Sequence, residues 1–206
     1  MSRLILASKS PRRFELLSMT GLSFEVRTSH VDEDAVEEKV LHTFKEGGIR
    51  ADMYQIAQEV ACAQARAKAS AVLKECPDAT VIGSDTVVVT ADEILGKPKD
   101  EKDARRMLTT LSGKVHRVYT GVCIQNQKTV RTFSSFADVR FHDLDERQEK
   151  LIDAYIATGS PMDKAGAYGI QDQGALLIDS ISGDYYAVVG LPVARVYREL
   201  TSITGS

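Results

Sequence analysis

The 206-residue chain has no excess of basic residues: 26 Lys and Arg against 29 Asp and Glu leave a formal net charge of −3. Proteins that grip long nucleic acid by neutralising many phosphates carry such an excess. Single-strand binders also need aromatics interleaved along a basic groove, and aromatics make up only 6% here. Both readings are disfavoured, and any anion-binding site must be local. Cysteine is scarce as well. Cys62, Cys76 and Cys123 are odd in number and have no short paired spacing, so neither a disulfide framework nor a zinc site is suggested and a reducing cytosol fits best. Long apolar runs are missing. Leu4-Ile5-Leu6-Ala7 turns polar at Ser8, too soon for a signal-peptide core, and no later stretch could span a bilayer. A cytoplasmic protein with no membrane partner is expected. The glycine loops of P-loop and dinucleotide-binding proteins, the HExxH helix and the GxSxG elbow are absent too, removing several enzyme classes.

What is present is an ordinary globular composition, 43% hydrophobic and 27% charged, and a length that suits one domain over residues 1–206. Leu4–Ala7 reads as a strand, Ser8–Ser10 as a tight loop, and Pro11 as the first residue of a helix capped by Ser10 and ending near Gly21. Residues 24–26 resemble a second strand. From His30 to about Tyr54 the chain is acidic and irregular, which suggests a surface loop or a short helix with an insertion. Alanine-rich residues 56–73 predict a helix stopping before Pro77, and residues 80–89 a buried central strand carrying one carboxylate. An amphipathic helix is expected over 100–111, a hairpin over 115–125 and 130–141, a helix over 145–157, a strand at 176–178 and a closing helix over 192–200. Strands and helices alternate around a hairpin. The fold class is therefore α/β, a mixed sheet flanked by helices with a cleft between two lobes.

Several segments could carry chemistry. At Ser8–Arg13 a helix N-terminus offers amide donors and a positive dipole end to phosphate, with Ser8, Ser10, Arg12 and Arg13 adding hydroxyls and guanidinium forks; a solvated double arginine beside an ordinary cap is the plain alternative. Asp85 sits among Val81, Ile82, Val87 and Val88, where a carboxylate is costly unless it binds a cation or takes several hydrogen bonds. It could hold a divalent metal or take a proton from an attacking water, or it could cap a turn at the strand end. Lys97, held by Pro98, could stabilise a leaving phosphate, and Lys68 could reach into a cleft from its alanine-rich helix; solvated surface positions are the plain reading of both. Glu33 could give a metal site its second carboxylate, or lie in a solvated acidic run. In the stretch 162–171, small residues let backbone approach a ligand. There Tyr168 could stack on a flat ring and Gln171 could pair with a base edge, or the tyrosine could simply pack in a glycine-rich turn. His116, within a predicted strand, reads as structural.

Taken together and in order, LASKSPRR (6–13), GSDTVV (83–88), GKP (96–98), DKAGAYGIQ (163–171) and GDYYAVVGLP (183–192) resemble the Maf family over nearly the whole chain. The resemblance implies a two-lobed fold similar to the inosine triphosphatase superfamily, with a deep central cleft. It implies hydrolysis of modified or pyrimidine nucleoside triphosphates between the α- and β-phosphates, with Mg²⁺ or Mn²⁺, and a homodimer. Asp85 matches the family's proton acceptor. Arg12, Thr86 and Gln171 match positions linked to substrate choice. Ser8, Ser10, Arg13, Glu33, Lys68, Lys97 and Asp163 fall on other polar cleft positions. The GAYGIQ form resembles the branch acting on dTTP and UTP, a nucleotide-pool-cleaning role. The alternative expectation is a nucleotide-binding regulator of cell division that does not turn the triphosphate over.

Overall fold

The computed structural model describes residues 3–48 and 51–204. The elements run β1 (Leu4–Ala7), α1 (Pro11–Ser18), β2 (Glu25–Val26), α2 (Glu33–Glu46), α3 (Met53–Glu75), β3 (Thr80–Val89), β4 (Ile94–Leu95), α4 (Glu101–Leu111), β5 (Val115–Gln125), β6 (Val130–Phe141), α5 (Glu146–Ala157), β7 (Ile178–Gly183), α6 (Tyr185–Val189) and α7 (Val193–Thr204). Three 3-10 turns, Ser160–Asp163, Ala165–Ala167 and Gln173–Leu177, fill the stretch between α5 and β7. The strands form one mixed sheet in the order β2-β1-β3-β5-β6-β7, with β4 on the edge of β3. Pairing is parallel across β2, β1 and β3 and antiparallel elsewhere. Among the described residues no helix is long and apolar enough to cross a membrane.

Side chains alternate across a strand, and β3 sorts its neighbours accordingly. Val81, Val87 and Val89 pack towards α3 and α2, whereas Ile82 packs with Leu16, Leu17, Val196 and Leu200 of α1 and α7, and Val88 with the α4–α5 layer. Two glycines set how close α3 lies. A Cβ on Gly83 would stand 2.2 Å from the Ala65 carbonyl oxygen, and one on Gly121 2.3 Å from that of Ala61. Any larger residue would lift α3, and Lys68 with it, off the sheet.

The sheet also makes a gap. β1 stays in register with β3 only as far as Ala7 opposite Gly83, and β4 joins the same edge only at Val88 opposite Leu95. Between them Ser84, Asp85, Thr86 and Val87 have no strand beside them on that edge among the described residues. Consecutive residues pointing to opposite faces of β3 can therefore reach one opening.

Two expectations change. The acidic stretch after His30 is a regular helix, α2, capped by the Asp32 side chain, which accepts from the Ala35 amide. Val36, Val40 and Phe44 recur one turn apart along it, and Val40 and Phe44 pack on α3, giving the inner stripe that supports a surface helix; Ile49 and Arg50 of this stretch lie outside the described residues. The strand expected at 176–178 begins only at Ile178. Residues 173–177 instead form a 3-10 turn whose N-cap, Asp172, accepts from the Gly174 amide. A short apolar run has no period with which to tell the two apart.

Candidate active site

A cleft of about 1160 Å³ opens at the gap in the sheet. Its lining brings together Ser8, Ser10, Arg12, Arg13, Glu33, Lys68, Asp85, Thr86, Lys97, Asp163 and Tyr168, residues spread over most of the sequence. Gln171 is exposed and is not among the lining residues, although its neighbour Ile170 is.

On the α3 side the centre is an ionic cluster. Lys68 is 7% exposed and its ammonium bonds the Asp85 Oδ1 atom. The same nitrogen stands 2.7 Å from Glu33 Oε1, and Lys97 Nζ lies 3.7 Å from Glu33 Oε2. Glu33 reaches in because it opens α2, and the Gln64 side chain fastens that end by donating to the Glu33 carbonyl at 3.1 Å. Partial burial pushes the Glu33 carboxyl upward, but Lys68, Lys97 and Arg13 together hold it below its ordinary value. Glu37, one turn further along α2, is raised by burial and by the charges of Asp34 and Asp85.

On the opposite face of β3 the cluster is hydrogen-bonded. Ser10 caps α1 by accepting from the Arg13 amide, and Ser8 Oγ accepts from the Ser10 amide at 3.1 Å. Arg13 donates through Nε to the Gly190 carbonyl (2.8 Å) and through Nη2 to Thr86 Oγ1 (3.0 Å). Its pKa is lowered by burial, with Asp85 and Glu33 opposing the shift. Much of its fork is committed to the protein, so Arg13 acts as a fixed positive charge in the wall. Arg12 and Asp163 lie within each other's field. Partial burial raises the Asp163 carboxyl, while the Lys164 bond and charge, then Arg12, bring it below its usual value.

Tyr168 is a wall residue of a particular kind. Its ring is 6% exposed and sits edge-on to Phe141 and His116. Its hydroxyl bonds His116 Nε2 at 2.8 Å, so the polar end is engaged within the protein. His116 is 1% exposed, and burial lowers its pKa to about 3. The loop carrying Tyr168 is propped by Asp172, whose Oδ1 accepts from Tyr155 Oη (2.9 Å) and the Gly174 amide (2.8 Å) and whose Oδ2 accepts from Ser160 Oγ (2.7 Å).

The residues fit a divalent cation in one way. Asp85 and Glu33 aim hard carboxylate oxygens at one ammonium, a donor set suited to an ion that completes its shell with water and phosphate oxygens. Among the described residues no group of three or more His, Cys, Asp or Glu could hold an ion by protein ligands alone.

The family model described as Maf-like protein matches residues 3–203. The chain belongs to the Maf family. It is 44% identical over 200 residues to a protein of Bacillus cytotoxicus named dTTP/UTP pyrophosphatase, covering 97% of this chain and 95% of that one. A protein of the same name from Bacillus cereus is equally similar over the same shares, and one from Bacillus thuringiensis subsp. konkukian is 43% identical over 97% and 95%. In this Maf chain the sequence reasoning overlooked Ser84, Thr120, Gly190, Gln64 and Glu37. For Glu37 and Gln64 the signal was available in the helical spacing of α2 and α3. For the others it was not, because serines, threonines and a carbonyl acquire meaning only from cross-strand register.

Proposed function

We propose that this Maf-family enzyme hydrolyses dTTP and UTP to the monophosphate and pyrophosphate, through the cleft at the open edge of β3. The names of its relatives support the activity and the substrate pair. The observation that carries the site is the convergence of Asp85, Glu33, Lys68 and Lys97 on one side of that opening with Arg13 and the α1 N-terminus on the other.

Asp85 Oδ1 is fixed by Lys68, which leaves Oδ2 to accept a proton from a water aligned on the α-phosphorus. As the water oxygen bonds phosphorus, the bond from phosphorus to the α–β bridging oxygen breaks. The departing pyrophosphate keeps that electron pair, and its charge meets Lys97 and Arg13, while Arg12 and Thr86 belong to substrate choice. Asp85 and Glu33 would hold Mg²⁺ or Mn²⁺, which when bound neutralises charge on phosphoryl oxygens. Ser8 and Ser10 hold the loop that presents the α1 amides to phosphate. Asp163, Tyr168 and Gln171 belong to the nucleoside end in this reading, with Gln171 reaching the substrate from outside the lining. The three cysteines, all free and buried, suit work in the cytoplasm, and a homodimer is the assembly that light scattering would test.

The deciding experiment is pyrophosphate release from dTTP and UTP with Mg²⁺ by the parent and by Asp85→Asn. Loss of a general base predicts a fall of roughly 10²- to 10⁴-fold in turnover with an unchanged circular dichroism spectrum. Near-parental turnover would remove Asp85 from its role. No release by the parent would sink the activity itself.

A further inference from the structure

We infer that Thr120 is a positioning residue that makes Thr86 a hydrogen-bond acceptor, and never a donor, towards the cleft, so that the enzyme selects a substrate N–H or O–H at that point. The inference rests on the pyrophosphatase reading above and adds what the site demands of its nucleotide.

Thr86 and Thr120 face each other directly across β3 and β5, and their hydroxyl oxygens lie 2.8 Å apart. Each hydroxyl has a single proton to give. Thr120 Oγ1 lies 2.6 Å from the Ala187 carbonyl oxygen, an atom that can only accept. Both residues are 0% exposed, so no water can take over that bond, and the Thr120 proton must go to Ala187. The carbonyl needs it. Ala187 lies in the five-residue helix α6, and the last carbonyls of a helix have no partner within it. With its own proton committed, Thr120 can only accept from Thr86, so the Thr86 proton points away from the cleft. At the other end Arg13, which can only donate, already bonds Thr86 Oγ1 at 3.0 Å. The chain runs in one direction, from guanidinium through Thr86 and Thr120 to Ala187, and leaves one Thr86 lone pair for the cleft.

The same arrangement gives the 183–192 motif a task. The Asp184 carboxylate caps α6 by accepting from the Tyr186 and Ala187 amides. The segment then delivers two carbonyls to the site: Ala187 to Thr120, and Gly190 to Arg13 and to Ser84 Oγ at 3.1 Å. Neither carbonyl needs to touch substrate to govern it.

Two groups of a pyrimidine nucleotide could meet that lone pair, the imide N–H of the base and a sugar hydroxyl. The test separates them by the ratio of kcat/KM for UTP over CTP, which exchanges the N3–H for a bare nitrogen and the 4-oxo group for an amino group, and for dTTP over 3′-deoxythymidine triphosphate, which lacks the hydroxyl. In the parent one of these ratios is expected at about tenfold or more, the scale of leaving a buried acceptor unpaired or facing another. Thr120→Val frees the Thr86 proton to turn outward, so that ratio should fall towards one, while Thr120→Ser should keep it. The ratio that collapses names the substrate atom. If Thr120→Val lowers kcat/KM equally for all four nucleotides, Thr120 is merely structural and the inference is overturned. Parental ratios near one in both arms overturn it without any variant. If the parent releases no pyrophosphate, the activity reading fails by itself, and the same ratios measured as calorimetric affinities still decide the polarity of Thr86.

Discussion

Stability should fall on mild acidification because of His116. Its ring is 1% exposed and burial lowers its pKa from 6.5 to about 3, with the Asp138 charge opposing. The protonated ring would carry an N–H on Nδ1, which has no hydrogen-bond partner among the described residues, and the folded state therefore disfavours the proton. Between pH 6.5 and about 3 the unfolded chain binds a proton that the folded chain refuses, so this contribution is intact above pH 6.5 and is lost as pH falls through that window. At 1.36 kcal/mol per pKa unit, moving from pH 7 to pH 5 costs about 2 kcal/mol. Urea unfolding at pH 7, 6 and 5, followed by circular dichroism, measures it. His116→Gln can still bond the Tyr168 hydroxyl but does not titrate, and its stability should fall by about 2 kcal/mol less over the same range. Glu37, raised by burial, works in the opposite sense but is common to both proteins and cancels. Parallel pH profiles for parent and variant would refute the claim that a buried neutral histidine braces this wall of the cleft.

The remaining predictions concern how the site is held. Gly121→Ala places a methyl 2.3 Å from the Ala61 carbonyl oxygen; overpacking of this kind costs on the order of 1–3 kcal/mol or more, and activity should fall with it because Lys68 rides on α3. Thermal unfolding checks the first half, and pyrophosphate release measured well below the melting temperature checks the second. Asp172→Asn removes the carboxylate shared by Tyr155, Ser160 and Lys164, and a loss of roughly 1–3 kcal/mol is expected at pH 7. Burial raises the Asp172 carboxyl, but the bonds from Ser160, Gly174 and Tyr155 bring it below 3.8. Its contribution is therefore present above that pH and lost below it, so at sufficiently low pH parent and variant should converge in urea midpoint.

How much of this was legible beforehand depended on whether the signal was local. The limits of β3, β5 and β6 follow from unbroken β-rich runs bounded by turn residues, and Asn126 closes the hairpin by accepting from the Lys128 and Thr129 amides. A carboxylate in the apolar run of β3 announced itself as costly, and a Ser-Pro pair announced the start of α1, whose first residues line the cleft. α2 was hidden because its acidic outer face outweighed a stripe of only a few apolar side chains. The strand expected at 176–178 was misplaced because an isolated apolar run carries no period.

The sequence by itself determined most of the long helices and strands, the mixed sheet and the family, since each depends on periodicity, caps and motifs a few residues long. Only the tertiary structure decided that β1 stops short of β4, opening the edge of β3 so that Asp85 and Thr86 serve one cleft from opposite faces. It also decided which protons are available there, because the Thr86 hydroxyl is set by Thr120 and Ala187, residues distant in the chain that meet only through register and packing.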